Sequence, residues 1–526
     1  MKKLLTTAAA LVFAAGATAQ AQELTVAVAN MSATLEPGRD HSNVGSQFYV
    51  NTFEPLLGKN ANIGENEFLP ALATEWTLVS DTVAELKIRE GVTFHNGDPM
   101  TMDDVVFSLE TMITPAYDGR IARSREIFGN IDRVDVIDET TLQVIAKRPE
   151  PLMELILNSQ NGFILPKAYL MGLTGDPNLA EEEDFVAFSL APIGTGPYRI
   201  AEFVPGERLI WERFDGYWGT PAPYERITVR KIPELSARVT ALVNNEVDLI
   251  TNLPPDQLAV VDNSPKHKTV GGVTPIFHLV FFAGGPDNKI ITPELRKALS
   301  LSVDRDLLNE ALWLGKAVVP PTHTYPQYGV YYTPEIQTFE YDPERAKAIV
   351  EENGLEGTKV EFITDAFYYT NGLLAAQAMQ EMWREIGIEI EIIVTSSWEC
   401  WGCADKISPW SNPMYFADPH GSFGVMWSPV GAGITNGYWE PLIGLDAYTK
   451  LYDAFRYETD PDARNAAFAE VMAVVKEDSP FLLNYQPYES WGMRTDLDWA
   501  PFPGHIPYVL DFRAGAIADA KNGITK

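Results

Sequence analysis

"FLPALATEWTLVSDTVAELKIREGVTFHNGDPMTMDDVVFSLE", Phe68 to Glu110, carries the densest local signals in the chain. Its first part reads as two or three strands with turns between them. Asn96-Gly97-Asp98-Pro99 then turns the chain. Thr101 can cap a helix, with Asp104 at the third helical position, the arrangement of a capping box. Val105, Val106, Leu109 and Met112 fall on one face of that helix. This is a hairpin followed by a capped helix. Nothing in it supplies chemistry, and the adjacent acids Asp103 and Asp104 read as solvated.

Upstream, Met1-Lys2-Lys3 is a short basic start, Leu4 to Ala17 is mostly apolar and small, and Ala19-Gln20-Ala21 fits a small-residue cleavage site. These are the marks of a secretory signal peptide, with cleavage expected after Ala21. No cysteine lies near the cut, so a lipid anchor is not expected. No later stretch reaches about 18 uninterrupted apolar residues, so no membrane span is expected either. "ELTVAVAN", Glu23 to Asn30, then alternates as a strand does.

A chain of 526 residues exceeds what a single core usually supports, and two or three lobes are expected. The 72 acidic and 40 basic residues leave a net charge of −32, which argues against nucleic acid and anionic lipid as partners. The two cysteines, Cys400 and Cys403, form "CWGC". A local disulfide fits an oxidising compartment. Redox catalysis would want a βαβ context that the surrounding sequence lacks, and two cysteines leave a zinc site short of ligands.

The second half repeats a cap-then-proline grammar at Thr292-Pro293, Asp342-Pro343 and Asp460-Pro461, each the expected start of a helix. Strands such as "TKVEFIT" and "IEIEIIVT" lie between them, giving α/β alternation. Metalloprotease, nucleophile-elbow and phosphate-loop motifs are absent from the sequence. The seven histidines, His41, His95, His267, His278, His323, His420 and His505, show no ligand spacing. The sequence therefore reads as that of a non-enzyme, with no cofactor and no metal.

One region is concentrated in a different way. Ser396 to Pro441 holds Trp398, Trp401, Trp410, Tyr415, Phe416, Trp427, Tyr438 and Trp439 among many glycines and prolines. Regular periodicity fails over most of it, which suggests a binding segment. Aromatic faces suit sugars, peptide side chains or cations. About half of these rings are expected to be core packing.

The opening stretch resembles the signature of periplasmic solute-binding proteins of the family 5 peptide/nickel type. Three further segments agree, in the family's order: "IGTGPYRIAEFVPGERLIWERFDGYWGTPAPYERITVRKIPELSARVTALVNNEVDLI", "LRKALSLSVDRDLLNEALWLGKAVVPPTHTYP", and "YDPERAKAIVEENG" leading into "MQEMWREIGIEIEI". The resemblance implies an α/β, two-lobed periplasmic binding protein fold of type II with an extra domain in the N-terminal part. Lobe I would be discontinuous over 22–60, 193–275 and 485–526, with the extra domain over 61–192 and lobe III over 276–484. It also implies a soluble periplasmic monomer that captures a solute between closing lobes and hands it to the permease and ATPase subunits of an ABC importer.

The same resemblance suggests ligand residues. Peptide-binding members place an aspartate after a tryptophan-containing strand to hold the peptide amino terminus, and Asp418 in "MYFADPHGSF" is the match here. Asp-Pro is also ordinary turn chemistry. Dipeptide binders carry an arginine for the peptide carboxylate soon after the strand matching "VEFITDAFYYTNG", where this chain has Ala366, Phe367, Tyr368 and Tyr369. That departure favours longer peptides, or an oligosaccharide, glycoside or opine-like conjugate. Asn43, with Gly45 beside it, falls where the first ligand loop would lie, and Trp398 and Trp401 would flank the pocket wall. Phe416, Tyr438 and Trp439 are candidates from the aromatic composition alone. His420 is the one histidine of that segment, too few for a direct metal site.

Overall fold

The structure, a computed structural model, describes residues 23–37, 42–59, 68–113, 127–174, 184–284, 288–395, 405–501 and 509–514. The expected signal peptide, Trp398, Trp401, Cys400 and Cys403 lie outside the described residues. No helix among the described residues is long and apolar enough to cross a membrane.

The opening stretch folds as its local signals direct. Ala73–Ser80 and Val83–Ile88 pair as a hairpin and join Thr141–Ala146 and Ile131–Val136 in a four-stranded antiparallel sheet. At the turn, Asp98 N–H donates to Asn96 Oδ1 at 3.1 Å, and Gly97 takes φ +91°, open to glycine without strain. Helix Met102–Ile113 follows, closed by a reciprocal capping box. Thr101 N–H and Oγ1 donate to Asp104 Oδ2 at 2.8 and 2.6 Å, and Asp104 N–H returns to Thr101 Oγ1 at 3.4 Å. Asp104 is buried rather than solvated, because its Oδ1 also accepts from Lys167 N–H at 2.8 Å and ties this helix to the start of helix Lys167–Thr174. Val105, Leu109 and Met112 are buried, while Val106 is half-buried and Phe107 takes its place in the core.

This four-stranded unit docks on a larger sheet through His95. Its Nδ1 accepts from Gly194 N–H at 3.2 Å, so Nε2 carries the proton and donates to Gly196 O at 2.8 Å. Burial lowers its pKa to about 4, which keeps the ring neutral. The two glycines of "IGTG" let this segment lie against Asn51 and Thr52: a Cβ at Gly194 would sit 2.1 Å from Thr52 O.

The larger sheet has seven strands in the order His267–Val273, Tyr488–Arg494, Leu249–Ile250, Glu23–Val28, Arg226–Lys231, Arg208–Arg213, Tyr198–Val204. Glu23–Val28 runs parallel to both of its neighbours. A second lobe is built on a five-stranded sheet ordered Glu389–Thr395, Lys359–Asp365, Lys406–Pro413, Ile276–Phe282, Phe481–Tyr485. Every residue of Ile276–Phe282, an inner strand of this sheet, is buried. Helices Pro293–Leu301, Pro343–Glu352 and Pro461–Asp478 start where the cap-then-proline pattern places them, with Thr292, Asp342 and Asp460 accepting from the third helical N–H.

The chain passes between the two large sheets twice. One passage runs from Val273 to Ile276 through Thr274-Pro275, the other from Tyr485 to Tyr488 through Gln486-Pro487. Thr274 N–H donates to Pro487 O at 3.1 Å, so the two passages run side by side. Gln486 is fixed from the other flank by paired backbone bonds with Val318, at 2.8 and 3.0 Å.

His278 and His323 are buried and His95 is half-buried, and desolvation lowers their pKa values to about 3, 3 and 4. Each is neutral when folded and titrates near 6.5 when exposed, so below about pH 6.5 the unfolded chain binds the extra protons. Stability is therefore full above pH 6.5 and falls as the pH drops from there towards 4, by on the order of 1–3 kcal/mol per ring. Urea unfolding between pH 7 and 5, above the carboxylate range, is expected to show this fall, and His323→Phe is expected to flatten it.

Candidate functional site: the cleft between the lobes

The first lobe presents the carboxyl ends of its parallel strands to the cleft, the usual place for a ligand in open α/β sheets. Asn30 follows Glu23–Val28, and Asn252 follows Leu249–Ile250 in a left-handed conformation, φ +55°. Buried Arg238 holds this second turn, donating to the carbonyls of Ile232, Pro233, Thr251 and Asn252 at 2.6 to 3.3 Å among its bonds to them. Burial lowers its pKa to about 10, and the guanidinium stays charged at neutral pH. The short helix Asn43–Ser46, capped by Ser42 Oγ at 3.0 Å from Gly45 N–H, adds Asn43 and then Gln47.

The second lobe faces these groups with the turn after Lys359–Asp365. Asp365 Oδ1 accepts from Phe367 and Tyr368 N–H at 2.7 and 2.9 Å, which fixes the turn. Tyr369 points inward, its hydroxyl 3.0 Å from Ser411 Oγ. Among the described residues, these hydrogen bonds cross the cleft. Asn43 Nδ2 donates to Ser411 Oγ at 2.7 Å, Asn30 Nδ2 to Phe367 O at 3.0 Å, and Thr370 Oγ1 to Glu489 Oε2 at 3.1 Å. Between them lies a cavity of about 10 Å³ lined by Asn30, Asn43, Val44, Gln47, Asn252 and Tyr368. Among the described residues no three His, Cys, Asp or Glu side chains converge to hold a metal ion.

Residues 67–442 match the family model of bacterial extracellular solute-binding proteins, family 5 (middle). The chain belongs to that family. It is 28% identical over 364 residues to the dipeptide-binding protein of Escherichia coli K12, an alignment covering 64% of this chain and 65% of that one. Among solved structures, it is similar to the periplasmic binding protein DppA of Helicobacter pylori in complex with the peptide STSA, with a TM-score of 0.81 and 21% identity over 93% of this chain and 97% of that one. It is also similar to AgaA of A. tumefaciens R10 in complex with agropinic acid, with a TM-score of 0.78 and 20% identity over 95% and 98% of the two chains. The fold is the two-lobed one of periplasmic binding proteins.

In this family 5 protein the structure brings Asn43, Phe367 and Tyr368 to the cleft. Asn43 is buried and bonded across it, Tyr368 lines the cavity, and Phe367 is 47% exposed with its carbonyl on Asn30. It places Asp418 elsewhere. That carboxylate is fully buried and paired with Arg464, whose Nη2 donates to Oδ1 at 2.8 Å while Nη1 donates to Oδ2. Oδ1 also accepts from His420 N–H at 2.8 Å. Its charge is answered within its own lobe, so the expected role as counter-charge for a ligand ammonium has no geometric support.

Trp439 is core, its Nε1 on Asp478 Oδ2 at 3.1 Å and its ring against Trp427. Tyr438 is half-buried with its ring edge-on to Phe281. Phe416 leaves its own lobe and sits in the core of the four-stranded domain, among Leu56, Leu72, Ile156 and their neighbours. Gln47, Asn30, Asn252, Ser411, Thr370 and Glu489 went unnoticed in the sequence. Asn30 and Asn252 had a usable signal, an asparagine directly after a short apolar strand. The others depend on long-range pairing that one sequence does not display.

Phe416 belongs to a second contact between the lobes, outside the cleft. Arg456 of the second lobe donates to both carboxylate oxygens of Glu150 in the four-stranded domain, at 2.8 and 2.7 Å, with both side chains buried. Beside it Arg148 bonds Asp453 at 3.0 Å and stacks over Tyr457 at 3.6 Å.

Removing one member of a buried ion pair strands the other's charge, at a cost of about 3–5 kcal/mol. Asp418→Asn and Glu150→Gln are each expected to lower unfolding stability by an amount of that order, read by urea denaturation. Pairing Glu150→Gln with Arg456→Met should cost less than the sum of the single changes.

Proposed function

We propose that this protein is the substrate-binding component of an ABC importer, capturing a peptide or peptide-like solute between its lobes and delivering it to a membrane permease. The paired passages at Thr274-Pro275 and Gln486-Pro487, with complementary polar groups on both walls of the cleft, are the observation that carries this reading. A solute that touches both walls binds best when they are together, so it shifts the population towards the closed form. That closed form would be what the permease recognises, and partner ATPase subunits would supply the energy. The protein itself makes and breaks no bond. It would work in the periplasm as a monomer after removal of its signal peptide.

The peptide assignment draws on the relatives: one is named a dipeptide-binding protein, and one structure holds the peptide STSA. The absence of an arginine at Ala366–Tyr369 favours peptides whose carboxylate is not anchored, hence longer than two residues. A second reading, an oligosaccharide, glycoside or opine-like conjugate, is favoured by the uncharged amides of the cavity wall and by the fold's likeness to AgaA, solved with agropinic acid.

The test is a thermal-shift panel on protein unfolded and refolded to strip carried ligand, using di- to pentapeptides, α- and β-linked oligosaccharides and opine-like conjugates. A true ligand at about 100 times its Kd should add about 2.7 kcal/mol. Stabilisation by tri- to pentapeptides supports the first reading. Stabilisation by sugars or conjugates alone replaces it with the second.

A further inference from the structure

We infer that the small cavity between the lobes receives a free primary ammonium group of the solute, with Gln47 as its selecting residue. The inference rests on reading the cleft as the binding site and names the chemical group that site accepts.

Among the described residues the cavity wall is made of neutral groups, four amides with Val44 and Tyr368, and its free amide oxygens outnumber its free amide NH2 groups. Gln47 is 94% buried, the complement of its 6% exposure, and it lines the cavity. Its Nε2 leans on Asn43 O at 3.4 Å. The opposite amide orientation would set two carbonyl oxygens against each other, so Oε1 is the free end. That Oε1 is buried and has no hydrogen-bond partner among the described residues. A buried acceptor left unmade costs about 1–3 kcal/mol, so it marks a place where a donor belongs.

Its neighbours repeat the arrangement. Asn30 and Asn43 each commit the NH2 half of the amide to the facing lobe, at 3.0 and 2.7 Å. That leaves Asn30 Oδ1 and Asn43 Oδ1 as acceptors unused among the described residues. Asn252 is the reverse case. Its Oδ1 is taken by Thr251 Oγ1 at 2.7 Å, so it presents its NH2. Three amide oxygens and one amide NH2, beside the Tyr368 hydroxyl, which can accept as well as donate, match an ammonium, which has three N–H groups and no acceptor, next to an acyl oxygen that Asn252 can bond.

Size and charge agree with this match. About 10 Å³ is room for one water-sized group such as –NH3+. Among the described residues no cationic side chain lines the cavity. Asp365, whose Oδ1 accepts from Tyr368 N–H at the base of its turn, carries a charge of the favourable sign.

The test is titration calorimetry on protein stripped by unfolding and refolding, with two probe pairs: trialanine against N-acetyl-trialanine, and glucosamine against N-acetylglucosamine. The free amine is expected to bind about a hundredfold more tightly than its acetylated partner. Gln47→Leu should weaken the free amine about tenfold to a hundredfold, the range for a bond to a charged group. It should leave the acetylated probe unchanged. Gln47→Glu, which puts a carboxylate at the same place, should tighten the free amine. Asn30→Leu, at a half-buried position, repeats the test should the Gln47 variants fold poorly.

Equal affinity within both pairs overturns the inference while leaving peptide import standing if trialanine binds. Gln47 and Asn30 variants that shift the melting midpoint but not the free-to-acetylated ratio also overturn it, since Gln47 would then serve only a fixed water. Binding of glucosamine but of neither peptide keeps the inference and removes the peptide reading. Binding of no probe overturns both.

Discussion

Thr274 and Pro487 sit back to back, joined through a backbone bond of 3.1 Å, and every path along the chain from one large sheet to the other runs beside that contact. Each passage contains a proline, which has no N–H to offer and a fixed φ. Each is also held by a neighbour, Thr274 by Pro487 and Gln486 by Val318. Two short parallel tethers permit rotation about the line joining them and resist sliding. The polar groups of the facing walls can therefore return to the same register after each opening. Asn43 finds Ser411, and Asn30 finds the carbonyl of Phe367, where the tethers, together with the Arg456–Glu150 contact, bring the second lobe to rest.

The charge distribution follows a different logic. A chain with net charge −32 nevertheless buries two full ion pairs, Asp418–Arg464 and Glu150–Arg456. Both are saturated within the protein. The first organises one lobe, where the guanidinium of Arg464 also lies 4.4 Å from the Tyr331 ring centre. The second joins two domains, next to the point where Phe416 crosses into a foreign core. The cavity in the cleft, by contrast, is lined among the described residues by four amides, one valine and one tyrosine. Full charges specify the scaffold, and neutral dipoles line the cavity, where each oriented amide leaves a donor or an acceptor to be matched.

Local structure was legible in the sequence wherever it rests on neighbouring residues. The capping box at Thr101 and Asp104, the turn at Gly97 and the cap-then-proline starts at Thr292, Asp342 and Asp460 all depend on contacts within four residues. Family membership was legible because several such segments recur in a fixed order. The cleft was not. Asp418 meets its partner 46 residues away, and Asn43 meets Ser411 across 368. Aromatic density also misled in part: Trp427 and Trp439 fill a core, and Phe416 fills another domain's core. Nothing in one sequence distinguishes a ring that packs from a ring that waits for a ligand, since both need the same apolar surface.

The adjacency of Thr274 and Pro487 carries one more implication. Residues 275–486 form an unbroken run that leaves the first sheet and re-enters it at nearly the same point. The second lobe is therefore a cassette inserted into a single connection of its host. The neighbouring host strands, His267–Val273 and Tyr488–Arg494, pair antiparallel, as the arms of a hairpin do. With the cassette removed, a tight turn could rejoin them. The cleft, and with it any capacity to select a solute, exists only because a hairpin loop was replaced by a domain with its own core.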